Sequence, residues 1–391
     1  MRILVLHSRY QSGDLSGENR VVDDETTLLR DAGHDVTQFS PEPQTGGMRD
    51  LLKTASSAVW SPGAVRRVAA LLRTHDCEVV HVHNLFPTLS PAVLRTARDA
   101  GASVVMTLHN YRLLCLPATL MRDGRPCEDC LGRAPWPGVV HACYRDDRLG
   151  SAVLATSLTA HRSLGSFDRV DRFAAVSEPV RATHIRGGLA PERIVVKPNF
   201  APATARRTGS GSGFLFLGRL VPEKGVRVLL DAWRRLPQER PELLVIGDGP
   251  DAGALRADPV PGVRFLGELP AGDIAGLIAV ARAVLVPSLW EEPAVPRVVL
   301  ESYAAGVPVV ASDRGALPDG VADDASGFLV PAEDGGTWAE RVGRLGDDAT
   351  SQRLGDGAYA LWSERFSPAA GLRASEALYR EAIEVNRARR N

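Results

Sequence analysis

The feature that most constrains the fold is an alternation that runs through the chain twice. Short apolar runs recur, each followed by a longer mixed segment: residues 3–6, then a helix-like stretch holding Glu25, Leu28 and Leu29, a stop at Gly33, and a second apolar run from Val36. Brief apolar runs spaced by amphipathic segments point to βα units around a buried parallel sheet. A helix is predicted over 65–72 and another opens at Ser90-Pro91, with strands at 79–82, 104–108, 173–176 and 194–196.

Residues 201–213, APATARRTGSGSG, are small and polar without periodicity, which marks a boundary between domains. The alternation then begins again: strands at 214–217, 243–246, 263–266, 284–286 and 309–311, and helices at 226–236, 274–281 and 297–305. No sequence repeat accompanies the repeated architecture. Each half reads as doubly wound, with ligands expected at the carboxyl ends of its strands. The tail from Ser367-Pro368 opens as a helix with Leu372, Tyr379 and Ile383 on one side.

A chain of 391 residues with 44% hydrophobic side chains can bury two such cores. Its 46 basic and 47 acidic residues leave a net charge of -1, which argues against a general nucleic-acid or polyanion binder. The opening MRILVLHSR is too briefly apolar for an export signal, and no apolar stretch reaches bilayer-spanning length. A cytoplasmic chain is expected, with contact at the inner membrane surface left open.

Several strand ends carry chemistry. FLFLGRLVPEKGV ends a strand at Gly218 and supplies Arg219 and Lys224 before a helix; the two cations can clamp phosphate oxygens or simply face solvent. LLVIGDGP ends a second strand in a tight Gly247–Gly249 turn. SGDLSGENR places Gly13 and Gly17 ahead of a helix whose amino end can receive phosphate, without the G-x-G-x-x-G spacing of dinucleotide enzymes. His109 and His83 end strands in VVMTLHNYR and VVHVHN; either can hydrogen-bond a sugar hydroxyl, steady a developing charge, or only tie down the next loop. Cys115, Cys127, Cys130 and Cys143 run C-x11-C-x2-C-x12-C inside a turn-rich insertion. Four thiolates can hold a structural zinc; unmetallated thiols and redox chemistry are the other readings.

Five phrases of the second half, GRLVPEKGV, VIGDGP, FLGEL, VPSLWEEP and VLESYAAGVPVVASD, stand in the order found in retaining glycosyltransferase family 4, and with HNLFPTLSP and TLHNYRLLC the whole chain resembles a bacterial subgroup of that family with a cysteine-bearing insert. The resemblance implies the GT-B fold, an α/β architecture of two Rossmann-like doubly wound domains facing an interdomain cleft. The expected layout is an acceptor-binding domain over 1–200 with an insert at 111–148, a nucleotide-sugar-binding domain over 201–367, and a helix over 368–391 packing back onto the first domain. It further implies a hexosyltransferase-like enzyme that moves a sugar from a nucleotide-diphosphate-sugar to an acceptor hydroxyl with retention. The alternative is a nucleotide-sugar epimerase or a catalytically impaired nucleotide-sugar-binding protein of the same fold.

Carried over by position, the resemblance implies that Arg219 and Lys224 bind the diphosphate, Glu301 the ribose, and Gly17 approaches the phosphates. Leu266 and its neighbours border the base, Gly249 lines the same cleft, and His109 faces the donor sugar. No catalytic metal is expected, and a UDP-sugar is preferred over GDP- or ADP-sugars. The acceptor is a glycan, a glycolipid or a specialised metabolite. One departure stands out. The family's sugar-contacting acid lies eight positions before the ribose-binding acid, which lands on Pro293; Glu292 sits one residue further back. A one-residue bulge in 293–296 would let Glu292 keep the sugar contact; otherwise it passes to backbone groups or to Glu291.

Overall fold

The computed structural model describes residues 1–10, 17–42, 48–237 and 239–390; Gly13 lies outside the described residues. The chain divides into two compact units, one of Met1–Lys197 with Leu372–Asn391, the other of Pro198–Gly371.

In the first unit, β1 (Arg2–His7), β2 (Asp35–Phe39), β3 (Val79–Asn84) and β4 (Ser103–Leu108) precede a hairpin of two-residue strands, β5 (Met121–Arg122) and β6 (Arg125–Pro126). β7 (Arg172–Ala175) and β8 (Ile194–Val196) complete a parallel sheet in the order β2-β1-β3-β4-β7-β8. Every residue of β3 and β4 is buried, which explains the valine-rich runs that mark these strands, although His81, His83 and Asn84 are sealed in with them. Helix Gly17–Asp31 packs Val22 and Leu29 against Ile3 and Val5, and Leu378, Tyr379 and Ala382 of the C-terminal helix Pro368–Arg390 join the same core.

The second unit repeats the plan with β9 (Phe214–Leu217), β10 (Leu243–Ile246), β11 (Val263–Gly267), β12 (Ala283–Val286), β13 (Val309–Ser312) and β14 (Gly327–Val330), all parallel, in the order β11-β10-β9-β12-β13-β14. Helix Val226–Arg235 buries Val226, Leu229, Leu230 and Trp233, an amphipathic stripe that packs on one face of the sheet. Helix Arg297–Ala304 contributes Val298, Val299, Leu300 and Tyr303 to a second core cluster.

Counting principal strands in chain order, the first sheet runs 2-1-3-4-5-6 and the second 3-2-1-4-5-6. The order reverses between β1 and β3 in one and between β9 and β12 in the other. These switch points are where an open parallel sheet leaves a crevice at its carboxyl edge.

The insertion after β4 is as irregular as its turn residues suggest. Among the described residues, six of the nine non-glycine residues with left-handed backbone lie in it: Ala118, Leu120, Asp123, Ala142, Arg145 and Asp146. Its end differs from a featureless turn: Asp147 accepts from Leu149 N and Gly150 N and so starts helix Arg148–Ser163. Strand β14 and helices Gly335–Arg344 and Asp348–Leu361 likewise add to the sequence-based element list.

Candidate active site

At the switch point of the second sheet the loops after β9 and β12 are joined. Leu289 N donates to Glu223 O (2.8 Å), and Gly225, at φ 70°, lies so close to the Pro287 carbonyl that a Cβ would collide with it. This closeness brings Lys224 onto the loop after β12. Lys224 Nζ stands 2.6 Å from Glu292 Oε1, and Ser288 Oγ donates to the same oxygen at 2.6 Å. The ammonium also lies 5.7 Å from the Trp290 ring centre. Arg219 is exposed and, among the described residues, its side chain makes no hydrogen bond or ion pair. One cation is thus held by a buried carboxylate while the other is open to an anion.

The displaced acid resolves into two roles. Glu292 is 5% exposed and directed at Lys224 and Ser288. Glu291 turns the other way, its Oε2 accepting from Gly315 N at 2.8 Å, so its carboxylate fastens the loop after β13. Ala316 N to Glu292 O (2.8 Å) and Arg314 Nη1 to Leu289 O (2.8 Å) complete that fastening. The chain bends at Pro293-Ala294, after which Val295 is buried against Gly320 and Pro296 precedes helix Arg297–Ala304.

Glu301 lies in the second turn of that helix, partly exposed, with Arg297 Nη2 3.1 Å from its Oε1. Leu266 is half-buried near the end of β11, against the hydrophobic core. Gly249 has a packing reason of its own: a Cβ there would strike the Leu220 carbonyl, because the turn after β10 lies flat on residues 218–220. Gly17, by contrast, opens its helix with free space where a Cβ would be.

In the first unit, β1, β3 and β4 bring His7, His83 and His109 to one sheet edge. His83 Nδ1 and His109 Nε2 are 2.9 Å apart with stacked rings, and His83 lies over His81, ring centres 4.1 Å apart. His81 uses both nitrogens, on Tyr379 Oη (2.8 Å) and Thr107 Oγ1 (2.7 Å). Burial, reinforced by neighbouring histidines and Lys197, pushes His109 down to about 3 and His83 well below its ordinary value, and burial outweighs the Glu25 carboxylate to bring His81 to about 4. His109 is therefore a neutral ring that offers a hydrogen bond and carries no charge.

Glu25, His81 and His83 place three potential ligand atoms within 4.8 Å of one another. Lys197 Nζ already sits 2.9 Å from Glu25 Oε1 and Ser375 donates to the same oxygen at 2.8 Å, so the group is a satisfied polar network. Burial pushes Glu25 up, yet Lys197, His81 and these hydrogen bonds outweigh it and hold the carboxyl at about 2.

Sequence reasoning missed Glu18. It shares a cavity of about 20 Å³ with His83, His109, Asn110 and Arg112, and its Oε2 accepts from Asn110 Nδ2 (3.2 Å) and Tyr10 Oη (3.4 Å). Burial raises its carboxyl to about 7 against the opposing pull of Arg112. Its place directly after Gly17, at the amino end of a helix, was the available signal.

The four clustered cysteines line one cavity of about 20 Å³ as free thiols. Backbone N–H groups of Leu120, Thr119 and Ala118 reach the Cys115 sulfur, and that of Gly138 reaches Cys130. No three of the sulfurs come within 4.8 Å of one another. A tetrahedral zinc with bonds near 2.3 Å needs sulfurs about 3.8 Å apart, closer than any three of these free thiols stand here.

Two sequence models match the chain in succession: Glycosyltransferase Family 4 over residues 15–204 and Glycosyl transferases group 1 over residues 211–348. The chain belongs to glycosyltransferase family 4, and it is a sugar-transferring enzyme with the GT-B fold. It is 29% identical to the phosphatidyl-myo-inositol mannosyltransferase of Mycolicibacterium smegmatis, over 86% of this chain and 82% of that one. It is 34% identical to the D-inositol 3-phosphate glycosyltransferase of Corynebacterium kroppenstedtii, where the match spans 43% of this chain and only 40% of the relative. Among solved structures, HepE of Anabaena in complex with UDP superposes with a TM-score of 0.64 at 19% identity, covering 97% of this chain and 99% of that one. Sucrose-phosphate synthase of Thermosynechococcus elongatus gives 0.68 at 17% identity, over 98% and 100%. No helix among the described residues is long and apolar enough to cross a membrane.

Proposed function

We propose that the protein transfers a sugar from a nucleotide-diphosphate-sugar to an acceptor hydroxyl with retention at the anomeric carbon. The observation that carries this reading is the open cation Arg219 in the same loop after β9 as Lys224, whose ammonium is held by Glu292 at the switch point of the second sheet. An arriving diphosphate meets one unpaired guanidinium and one ammonium, and these two cations, without a divalent metal, neutralise the leaving group. Glu301 binds the ribose hydroxyls, and Gly249 and Leu266 border the nucleotide. UDP is the preferred carrier, in keeping with the UDP bound to HepE of Anabaena. The acceptor belongs to the first unit, where neutral His109 supplies a hydrogen bond.

Glu292 is engaged by Lys224 and Ser288 through one oxygen, which suits a positioning group better than a nucleophile. In the proposed step the bond from the anomeric carbon to the diphosphate oxygen breaks, the acceptor oxygen bonds to that carbon on the same face, and the acceptor proton passes to the departing phosphate. A cytoplasmic location belongs to this reading, since nucleotide-sugars are made there.

The test is a panel of UDP-, GDP- and ADP-sugars with and without hydroxyl acceptors. Acceptor-dependent nucleotide release with a product of retained anomeric configuration is expected. An inverted product, or donor that binds and is never consumed under any acceptor, overturns the proposal.

A further inference from the structure

We infer that the first unit contains an oxyanion subsite, built from Arg112 and Arg145 around Tyr144, that takes a phosphate group of the acceptor. This rests on the assignment of the acceptor to that unit. A cavity of about 40 Å³ lies there, lined by Arg9, Tyr10, Asn84, Arg112, Tyr144 and Arg145. Arg9 and Tyr10 follow β1, Asn84 ends β3 and Arg112 follows β4, so the cavity sits at the switch point of the first sheet. It is several times the room one water needs, which suits a small anionic group and not a whole sugar ring.

The charges are unequal in availability. Arg9 is engaged by Asp23 through two 2.9 Å hydrogen bonds. Arg112 and Arg145 instead stack on Tyr144, with guanidinium carbons 5.3 and 5.4 Å from the ring centre. Among the described residues Arg145 forms no ion pair with an acid, and Arg112 acts on the Glu18 carboxylate only at a distance while hydrogen-bonding Tyr10, which lines the same cavity. Arg112 also donates to the Leu116 carbonyl, which fixes its direction. Arg145 is exposed and held in a left-handed conformation, φ 58°, a strained backbone for a non-glycine residue. The turn that imposes it is anchored by Tyr144 N to Ser151 Oγ (2.9 Å) and Asp147 N to Tyr144 O (3.1 Å). Two forked cations held by an aromatic ring, with no carboxylate lining the cavity, match the bidentate geometry of phosphate oxygens.

The probe is inorganic phosphate, titrated by calorimetry into the full chain carrying Arg219→Ala and Lys224→Ala, which silences the donor diphosphate cations. Saturable binding is expected to remain, to weaken at least tenfold on adding Arg145→Gln or Arg112→Gln, and to be matched by glycerol phosphate and not by glycerol. Arg145→Gln keeps the test valid if Arg112→Gln misfolds, because Arg145 is exposed. Phosphate binding that disappears with Arg219 and Lys224, or survives both arginine changes, or is absent throughout, overturns the subsite. None of these outcomes bears on whether Arg219 and Lys224 bind a donor, which turnover of those variants reads separately.

Discussion

Lys224 Nζ and Glu292 Oε1 lie 2.6 Å apart, although 68 residues separate them in the chain. The carboxylate is buried and its cation is partly exposed, so the pair presents positive charge outward while anchored from below. Lys224→Ala removes that charge and strands Glu292. A fall in kcat/KM of about 100-fold or more is expected, the scale of losing one preorganised charge partner at a developing anion. Unchanged steady-state kinetics would remove Lys224 from the diphosphate site.

The two adjacent acids are expected to separate cleanly. Glu291 accepts one backbone N–H at an exposed loop, so Glu291→Gln should cost under about 1 kcal/mol of stability and leave turnover near wild type. Glu292→Gln breaks a buried ionic contact at the site and should lower turnover at least tenfold. Equal activity losses in both variants, measured with the same donor, would refute the division of roles.

What was readable in the sequence follows burial. β4 is sealed on both faces and its VVM core reads as an apolar run, whereas β14 is four residues among polar neighbours and escaped notice. The late helices were signalled by their caps: Asp334 accepts from Gly336 N and Thr337 N, and Asp347 from Thr350 N. Arg219, Lys224 and Glu301 stood out because their phrases are local. The pairing of Lys224 with Glu292 did not, since it depends on Gly225 letting one loop lie against another. For Glu18 only its place at a helix amino end was legible; its environment is assembled from Tyr10, Asn110 and Arg112 on separate loops.

The buried Glu25–Lys197 pair should govern acid stability. Glu25 titrates in the folded chain at about 2, below its ordinary 4.5, so its contribution is present above about pH 4.5 and is lost as pH falls toward 2. Lys197→Met leaves the carboxylate buried and uncompensated, and should destabilise the first unit by about 3 kcal/mol at pH 7. Urea unfolding of both proteins at pH 7 and pH 4 checks this; a loss below 1 kcal/mol at pH 7 would mean the pair is idle.

The thiol cavity is expected to remain metal-poor. Protein prepared without added zinc should carry well under one equivalent by elemental analysis, and alkylation should reach half-buried Cys127 and Cys143 before buried Cys115 and Cys130. Near-stoichiometric zinc that survives a chelator, with all four thiols protected, would show that the loops draw the four sulfurs together onto a metal.

Glu18 should give the opposite pH signature from Glu25. Its folded carboxyl is raised to about 7, so its neutral form is the one the fold favours: the favourable contribution is complete below about pH 4.5 and declines as pH rises through 7. Because the side chain is only partly buried, the loss should be about 1 kcal/mol and not the full value of the shift. Glu18→Gln cannot ionise, so between pH 5 and pH 8 it should gain stability relative to the wild type by that amount. Parallel unfolding curves across this range would place Glu18 in water, with an ordinary carboxylate's behaviour and no tie to the His109 cavity.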